Sequence, residues 1–353
     1  MTAKSLSKTL LGAATGLTIA AGAVLPAQAQ DHLISLVFLA NTEDEDYDGA
    51  LVFKDYVESR SNGTIAVDIY PGGQLCANPA SCIDALQSGL VTVFITTIGG
   101  LSNVFPPAQV MDVPYMFPSD RIAECALSND SPFFNALHDA VLEQTGNMRL
   151  MTIGNTGGWR NIATTDTPVQ SPDDVDGLQL RTISSEIQQE LVRALGGSPT
   201  PVAWPELYTA LATGVVEGTK NGITDIVGMS FHEHLDNMTL DGHAYMGALW
   251  WMNNDEYLAM SEDERRIVED GFDRLRLTTL VMPQRRQIDA YNTFREAGGT
   301  IYVPTPDEMS QFRDAASPVR DWFVDQYGPE WLDLLSETVA GCEESLGAQY
   351  RPE

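Results

Sequence analysis

The side chains best suited to chemistry are two arginines, Arg160 and Arg181, each beside a short β-like run within residues 157–221. A guanidinium fork holds a carboxylate through two parallel hydrogen bonds, so the pair points to capture of an organic acid. Arg181 ends the run LQLR just before a helix start, where free amides and the helix dipole already favour anions. A surface ion pair with Asp174 or Asp176 is the competing reading. Arg160 follows Trp159, and stacking or solvation is equally open to it. Asn221, after Gly218-Thr219-Lys220, reads as a ligand donor on a tight turn or as a residue tolerating left-handed geometry. Trp204 either walls a pocket or fills a core.

Other chemistries find little support. His232-Glu233-His234 suggests a metal, but neighbouring and i+2 positions of a helix do not share a face. No G-x-S-x-G elbow, H-E-x-x-H pair, G-x-G-x-x-G turn or Walker loop occurs. Neither a cofactor nor a metal is expected. Four cysteines in an exported chain suggest two disulfides. Cys76 and Cys82 close the short loop CANPASC and are the first pair, and Cys125 with Cys342 follows by elimination. A metal site is the alternative, though the spacing fits no C-x₂-C pattern.

The first residues carry Lys4 and Lys8, then an apolar run over Leu10–Leu25, then the cleavage-type triplet Ala27-Gln28-Ala29. This is an export signal over residues 1–29, too short in its apolar part for a membrane anchor. The mature chain is expected to be periplasmic. About 320 residues remain, enough for two domains with their own cores. Losing two lysines and no acid takes the formal charge from −29 to −31. Such a balance excludes nucleic acid and anionic lipid as partners and suits a salty medium.

Several elements must position these side chains. Ile34–Leu39 reads as a strand, Ala50, Phe53 and Val57 as a helix face, Thr64–Tyr70 as an alternating strand, Ile83–Gly89 as a helix and Val91–Ile95 as a strand. That alternation predicts a mostly parallel sheet with crossover helices, and ligands sit off the carboxyl ends of such strands. Asn41, Thr96 and Thr97 occupy those ends. Asn155–Gly158 reads as a flexible crossing into a second β/α unit, with strands at Asn161–Thr164 and Leu178–Ile183. Ser185 and Gln188 read as a capping box. Pro205 opens a helix to Thr213. A further helix runs through Phe231, and His243–Met252 is strand-like. Ser261–Glu264 caps a long amphipathic helix with a kink or break expected at Pro283.

Taken together, the motifs resemble the solute-binding proteins of tripartite ATP-independent periplasmic (TRAP) transporters, the dicarboxylate-binding DctP-type family. The marks are YPGGQL at 70–75, VPYMFPSD at 113–120, SPDDVDGLQLRT at 171–182, LGGSPTPVAWPELYTALATGVVEGTKN at 195–221, and FREAGGTIYVP. The resemblance implies an α/β fold of two lobes hinged about a cleft, with mixed, mostly parallel sheets and a long helix along both lobes. Lobe I is expected over 30–156 with a return near 247–285, and lobe II over 157–246 completed by 286–353. The family's main carboxylate-binding arginine matches Arg181, its second matches Arg160, and the asparagine of its G-Q-E-N turn matches Asn221. Its aromatic before the P-x-E-x-Y helix start matches Trp204. Asn41, Thr96, Thr97, Asn155 and Phe231 fall near the pocket by register. Two departures stand out: G-T-K-N replaces G-Q-E-N, bringing in Lys220, and Leu75-Cys76 replaces L-G.

The resemblance implies a monomeric receptor that delivers a small organic acid or zwitterion to TRAP permease subunits for sodium-coupled uptake. Two tryptophans near the site and the extra lysine suggest a compact guest with an apolar or ring-like part. A dicarboxylate, hydroxy or keto acid, sugar acid, sulfonate or ectoine-like zwitterion all fit. The rival readings are a periplasmic ligand sensor and a hydrolase or lyase using the same cleft. The enzyme reading lacks a visible nucleophile or base.

Overall fold

A computed structural model describes residue 2 and residues 31–349, so the expected export signal and its cleavage site lie outside the described residues. The chain opens as β1 (His32–Val37), α1 (Glu45–Arg60), β2 (Ile65–Tyr70), α2 (Pro79–Gln87) and β3 (Val93–Thr97), with β1 parallel to both β2 and β3. Ile65 and Val67 face the core through the strand period of two, and Phe53 and Val57 do so through the helix period. Helices α3 (Ile98–Leu101), α4 (Asp120–Ala126) and α5 (Pro132–Thr145) lead to β4 (Met148–Thr164). The second unit is β5 (Gln179–Thr182), α6 (Glu186–Ala194), β6 (Ser198–Pro201), α7 (Leu207–Ala212), β7 (Gly218–Asn221) and α8 (Ile223–Gly228). Then come β8 (Asn237–Asn253), α9 (Asn254–Ala259), α10 (Glu262–Glu296), β9 (Thr300–Tyr302) and the closing helices α11 (Pro306–Ala316), α12 (Pro318–Tyr327) and α13 (Glu330–Gln349).

Among the described residues, nine strands form one mixed sheet of order β2-β1-β3-β8-β4-β7-β5-β6, with β9 also on β8. Five of its eight pairings are parallel, against three antiparallel. The antiparallel spine decides the architecture. β4 and β8 each have 17 residues, about 55 Å at some 3.3 Å per residue. One end of this ribbon pairs with β3 at residues 248–252, and the other with β7 at 161–164 and β9 at 237–239. Midway, between Asn155 and Trp159, the register slips. The expected flexible crossing at Asn155–Gly158 is therefore a bulge inside a continuous strand, because β8 pairs with it on both sides.

Helix α10 ties the halves together. Val268, Phe272 and Leu275 pack into the core of α1 and β1, while Ala290 and Phe294 pack into that of α7, α8 and Phe231. No break occurs at Pro283: the 35 residues of the helix run through it without interruption. Packing at both ends outweighs the one lost amide bond. Disulfides join Cys76 to Cys82 and Cys125 to Cys342, the latter tying α4 to α13.

The expected Ser185 capping box does not form. Ser185 Oγ instead donates to Gln109 Oε1 at 3.1 Å, and that oxygen accepts the Ile187 amide at 3.0 Å. Gln188 Nε2 donates to Asp112 Oδ2 at 2.8 Å. A distant glutamine caps α6, which local spacing has no means of revealing.

Candidate functional site

The carboxyl ends of β1 and β3 face β5, β7 and the turn around Trp204 across a cleft enclosing about 1160 Å³, open mouth included. That is room for a small solute. Phe38, Phe94, Met246 and Trp204 supply apolar walls, and Thr96, Thr97, Asn103, Ser184 and Asn221 supply neutral polar groups. The charged groups are Arg160, Arg181, Asp44, Asp46 and Asp225.

Arg181 lies on β5 and is 4% exposed. Its Nε donates to Val202 O at 3.0 Å, and its guanidinium stands 5.5 Å from the centroid of the Trp204 ring. Burial, and after it the nearby Arg160 charge, pushes its pKa down to about 9. Arg160, on β4, donates from one terminal nitrogen to Lys220 O at 3.0 Å, and its Nε has no partner. Among the described residues neither arginine has a carboxylate within ion-pair distance. Two buried cations without a direct ion pair form an anion site, since a charge taken from water must find its compensation somewhere.

Asn221 belongs to strand β7 and not to a tight turn, because it pairs with Asn161 on β4. Its Nδ2 donates to Asp225 Oδ2 at 3.1 Å, and its Oδ1 accepts from Thr219 Oγ1 at 2.7 Å. The crossing here is tight: a Cβ on Gly222 would come within 1.6 Å of Gly157 O, and one on Gly157 within 2.5 Å of the Asp225 carboxylate. Only glycine lets β4 and the start of α8 approach so closely.

Strand alternation sends Lys220 away from the cleft, where its Nζ donates to Gln188 O at 3.1 Å. Burial and then the Arg160 charge push its pKa down to about 7. Trp159 also misses the lining, with Nε1 on Asp120 Oδ1 at 2.5 Å. The extra lysine and the second tryptophan thus say nothing about the guest. Asn41, Asn155 and Phe231 stand outside the lining as well. Asn41 Nδ2 donates to Gly228 O at 3.0 Å, and Asn155 closes the β4 bulge by bonding Gly158 at both its amide and its carbonyl. Phe231 is buried behind Trp204 with ring centroids 5.1 Å apart. Glu233 of the His232–His234 triplet accepts from the Tyr208 hydroxyl, and His234 packs its ring on Tyr208.

Sequence reasoning overlooked the acids. Asp44 caps α1 by accepting the Asp46 amide at 2.9 Å, and Thr156 Oγ1 reaches the same oxygen at 3.4 Å. Burial, then their neighbours' charges, raises Asp44 and Asp46 well above the usual carboxylate range. Burial and the Glu45 charge push Asp225 up to about 7. The acidic run 43–48 lies just off the end of β1, and that place was a usable signal.

Residues 38–326 match the model of the DctP family, bacterial extracellular solute-binding protein, family 7. The chain is 26% identical over 304 residues to the ectoine-binding periplasmic protein TeaA of Halomonas elongata, covering 84% of this chain and 87% of that one. It is also 26% identical over 346 residues to the C4-dicarboxylate-binding periplasmic protein DctP of Rhodobacter capsulatus, covering 95% and 99%. Among solved structures, a TRAP periplasmic solute-binding protein from Ochrobactrum anthropi superposes with a TM-score of 0.79 at 26% identity, covering 92% of this chain and 99% of that one. The sugar acid binding protein of Advenella mimigardefordensis gives 0.83 at 21% identity, covering 88% and 98%.

Proposed function

The chain belongs to the DctP family of bacterial extracellular solute-binding proteins, and on that premise we propose that Arg181 and Arg160 clamp the carboxylate of a small solute. Asn221 and Trp204 complete the clamp, and Thr96 and Thr97 face it from the other wall. The protein is a solute receptor of the TRAP type and not an enzyme. One observation carries the assignment: two arginines, each 4% exposed, line one cleft, and among the described residues no carboxylate is ion-paired to either. The relatives named for ectoine and C4-dicarboxylates share a carboxylate in their ligands, and that is the group two arginines recognise.

The energetics agree with a cleft that closes on its guest. A charge-assisted hydrogen bond contributes about 1.5–3 kcal/mol, and micromolar affinity needs about 8 kcal/mol. The arginines therefore supply part, and the apolar walls with water exclusion supply the rest.

We divide the molecule into lobe I, 30–156 with 247–285, and lobe II, 157–246 with 286–353. Three features support that division: the β4 bulge, the change of partner along β8, and the two separate cores beneath α10. In this reading a periplasmic monomer carries its solute to permease subunits for sodium-coupled uptake. Among the described residues no helix is long and apolar enough to cross a membrane. The test is calorimetric titration of small acids into the protein and into Arg181→Ala. Binding that survives the substitution removes the clamp.

A further inference from the structure

Side chains from the start of α1 and from α8 meet in a buried knot of acids. Asp44, Glu45 and Asp225 each bring a carboxylate oxygen within 4.8 Å of the other two, and all three residues are buried. Two of them have evident local roles. Asp44 caps α1 through the Asp46 amide, and Asp225 Oδ2 accepts from Asn221 Nδ2 at 3.1 Å. Glu45 has none. It is 1% exposed, and neither of its oxygens has a hydrogen-bond donor. Thr224 Oγ1, on a residue 7% exposed, stands beside that carboxylate and is also without a hydrogen-bond partner. Among the described residues none of the three acids is ion-paired, and the nearby Arg286 is engaged by Asp48 at 2.6 Å.

Buried polar atoms are nearly always paired, so both Glu45 oxygens call for a partner that is neither backbone nor side chain. A water molecule would satisfy them but would not offset clustered carboxylates held away from solvent. A cation does both. The donors are hard oxygens, with no nitrogen or sulfur among them, and Thr156 Oγ1 adds another 3.4 Å from Asp44 Oδ1. Calcium takes six to eight such oxygens at about 2.3–2.6 Å, so ligands on opposite sides of it stand about 4.6–5.2 Å apart. The span of the knot falls inside that limit. Magnesium demands a tighter octahedron, and a monovalent ion offsets less of the charge. We propose that Asp44, Glu45 and Asp225 hold a calcium ion, with the Thr224 hydroxyl as a further donor. Glu45 and Thr224 stand outside the cleft lining, so the ion belongs to the scaffold beneath the cleft and not to the solute. It ties α1 to α8, which follows directly on the strand bearing Asn221. No local spacing marks such a site, because its ligands come from segments far apart in the chain.

The experiment uses the whole protein, stripped with a chelator, dialysed, and studied without solute at fixed ionic strength. Calcium chloride is titrated in by calorimetry, native mass spectrometry counts the ions, and melting is followed with calcium, magnesium or sodium. One calcium per chain is expected, with a Tm that climbs with calcium concentration. Magnesium should bind at least tenfold more weakly. Glu45→Gln and Asp225→Asn should each weaken calcium at least tenfold, while the exposed Asp307→Asn leaves it unchanged. Both buried variants remove a charge from the interior and should melt no lower than the parent in chelator, and either one alone decides the test. Calcium binding unmoved by these two substitutions would reflect only attraction to the acidic surface and would overturn the proposal. So would magnesium binding as tightly as calcium, or no calcium binding at all. None of these outcomes bears on the carboxylate clamp, since no solute is present.

Discussion

Arg181→Ala should separate binding from folding. The side chain spends Nε on Val202 O and keeps its two terminal nitrogens for a guest. Two charge-assisted bonds at about 1.5–3 kcal/mol each make the loss about 3–6 kcal/mol. At 1.4 kcal/mol per decade that is roughly 10²- to 10⁴-fold in Kd, enough to take a micromolar ligand out of calorimetric range. The empty protein should move the other way. Its pKa, lowered to about 9 from 12.5, means the charged guanidinium is disfavoured by folding at neutral pH. Removing it relieves both burial and its repulsion with Arg160, although Val202 O must then find water. Differential scanning fluorimetry should give an unchanged or higher Tm for the unliganded variant, with no ligand-induced shift. Arg181→Lys keeps charge but loses the fork and should recover only part of the affinity. An alanine variant binding within threefold of the parent would refute the assigned role.

Three further outcomes follow from the geometry. The unliganded protein should lose stability as pH rises from about 4 to about 7, because the buried acids favour their protonated forms: Asp225 titrates near 7 against an ordinary 3.8, and Asp44 and Asp46 shift the same way. Lys220, favoured neutral with a pKa of about 7 against 10.5, adds stability between those values as pH rises. Urea titrations across pH should show both limbs, with Asp225→Asn flattening the acidic one and Lys220→Met the alkaline one; unchanged slopes would contradict the burial of these groups. The Cys125–Cys342 bridge spans 217 residues and Cys76–Cys82 only 6. The loop-entropy relation gives about 5 and about 2 kcal/mol, so replacing the long-range pair by serines should cost more stability in urea, and equal losses would exclude a chain-entropy origin. Gly222→Ala must move the backbone at Gly157 and should cost more than about 2 kcal/mol; circular dichroism melts that match the parent would mean the crossing is looser than described.

Much of the fold was legible because its signals are local. The alternation over Ile65, Val67 and Ile69, the helical spacing of Phe53 and Val57, and the cap at Ser261 fall in the strand and helices that bear them. The shared spine was not legible. Nothing in the glycine-rich run Asn155–Gly158 distinguishes a loop from a bulge until β8 pairs across it. Pro283 reads as a breaker because propensity is local, whereas the packing that carries α10 past it comes from two cores far apart in sequence. The capping of α6 by Gln109 belongs to the same kind, since residues 76 and 78 positions apart decide it.

The sequence by itself determined an exported-type acidic chain, an α/β alternation, and the motifs around Arg160, Arg181, Trp204 and Asn221, since residue type and short-range spacing carry all of that. Only the tertiary structure decided which side chains share the cleft. It turned Lys220 and Trp159 away, set Phe231 behind Trp204, and brought Asp44, Asp46 and Asp225 to the arginines. The physical reason is that a strand's two faces and a cleft's two walls are assigned by long-range pairing and packing. The charge a buried group keeps depends in turn on the neighbours that packing supplies.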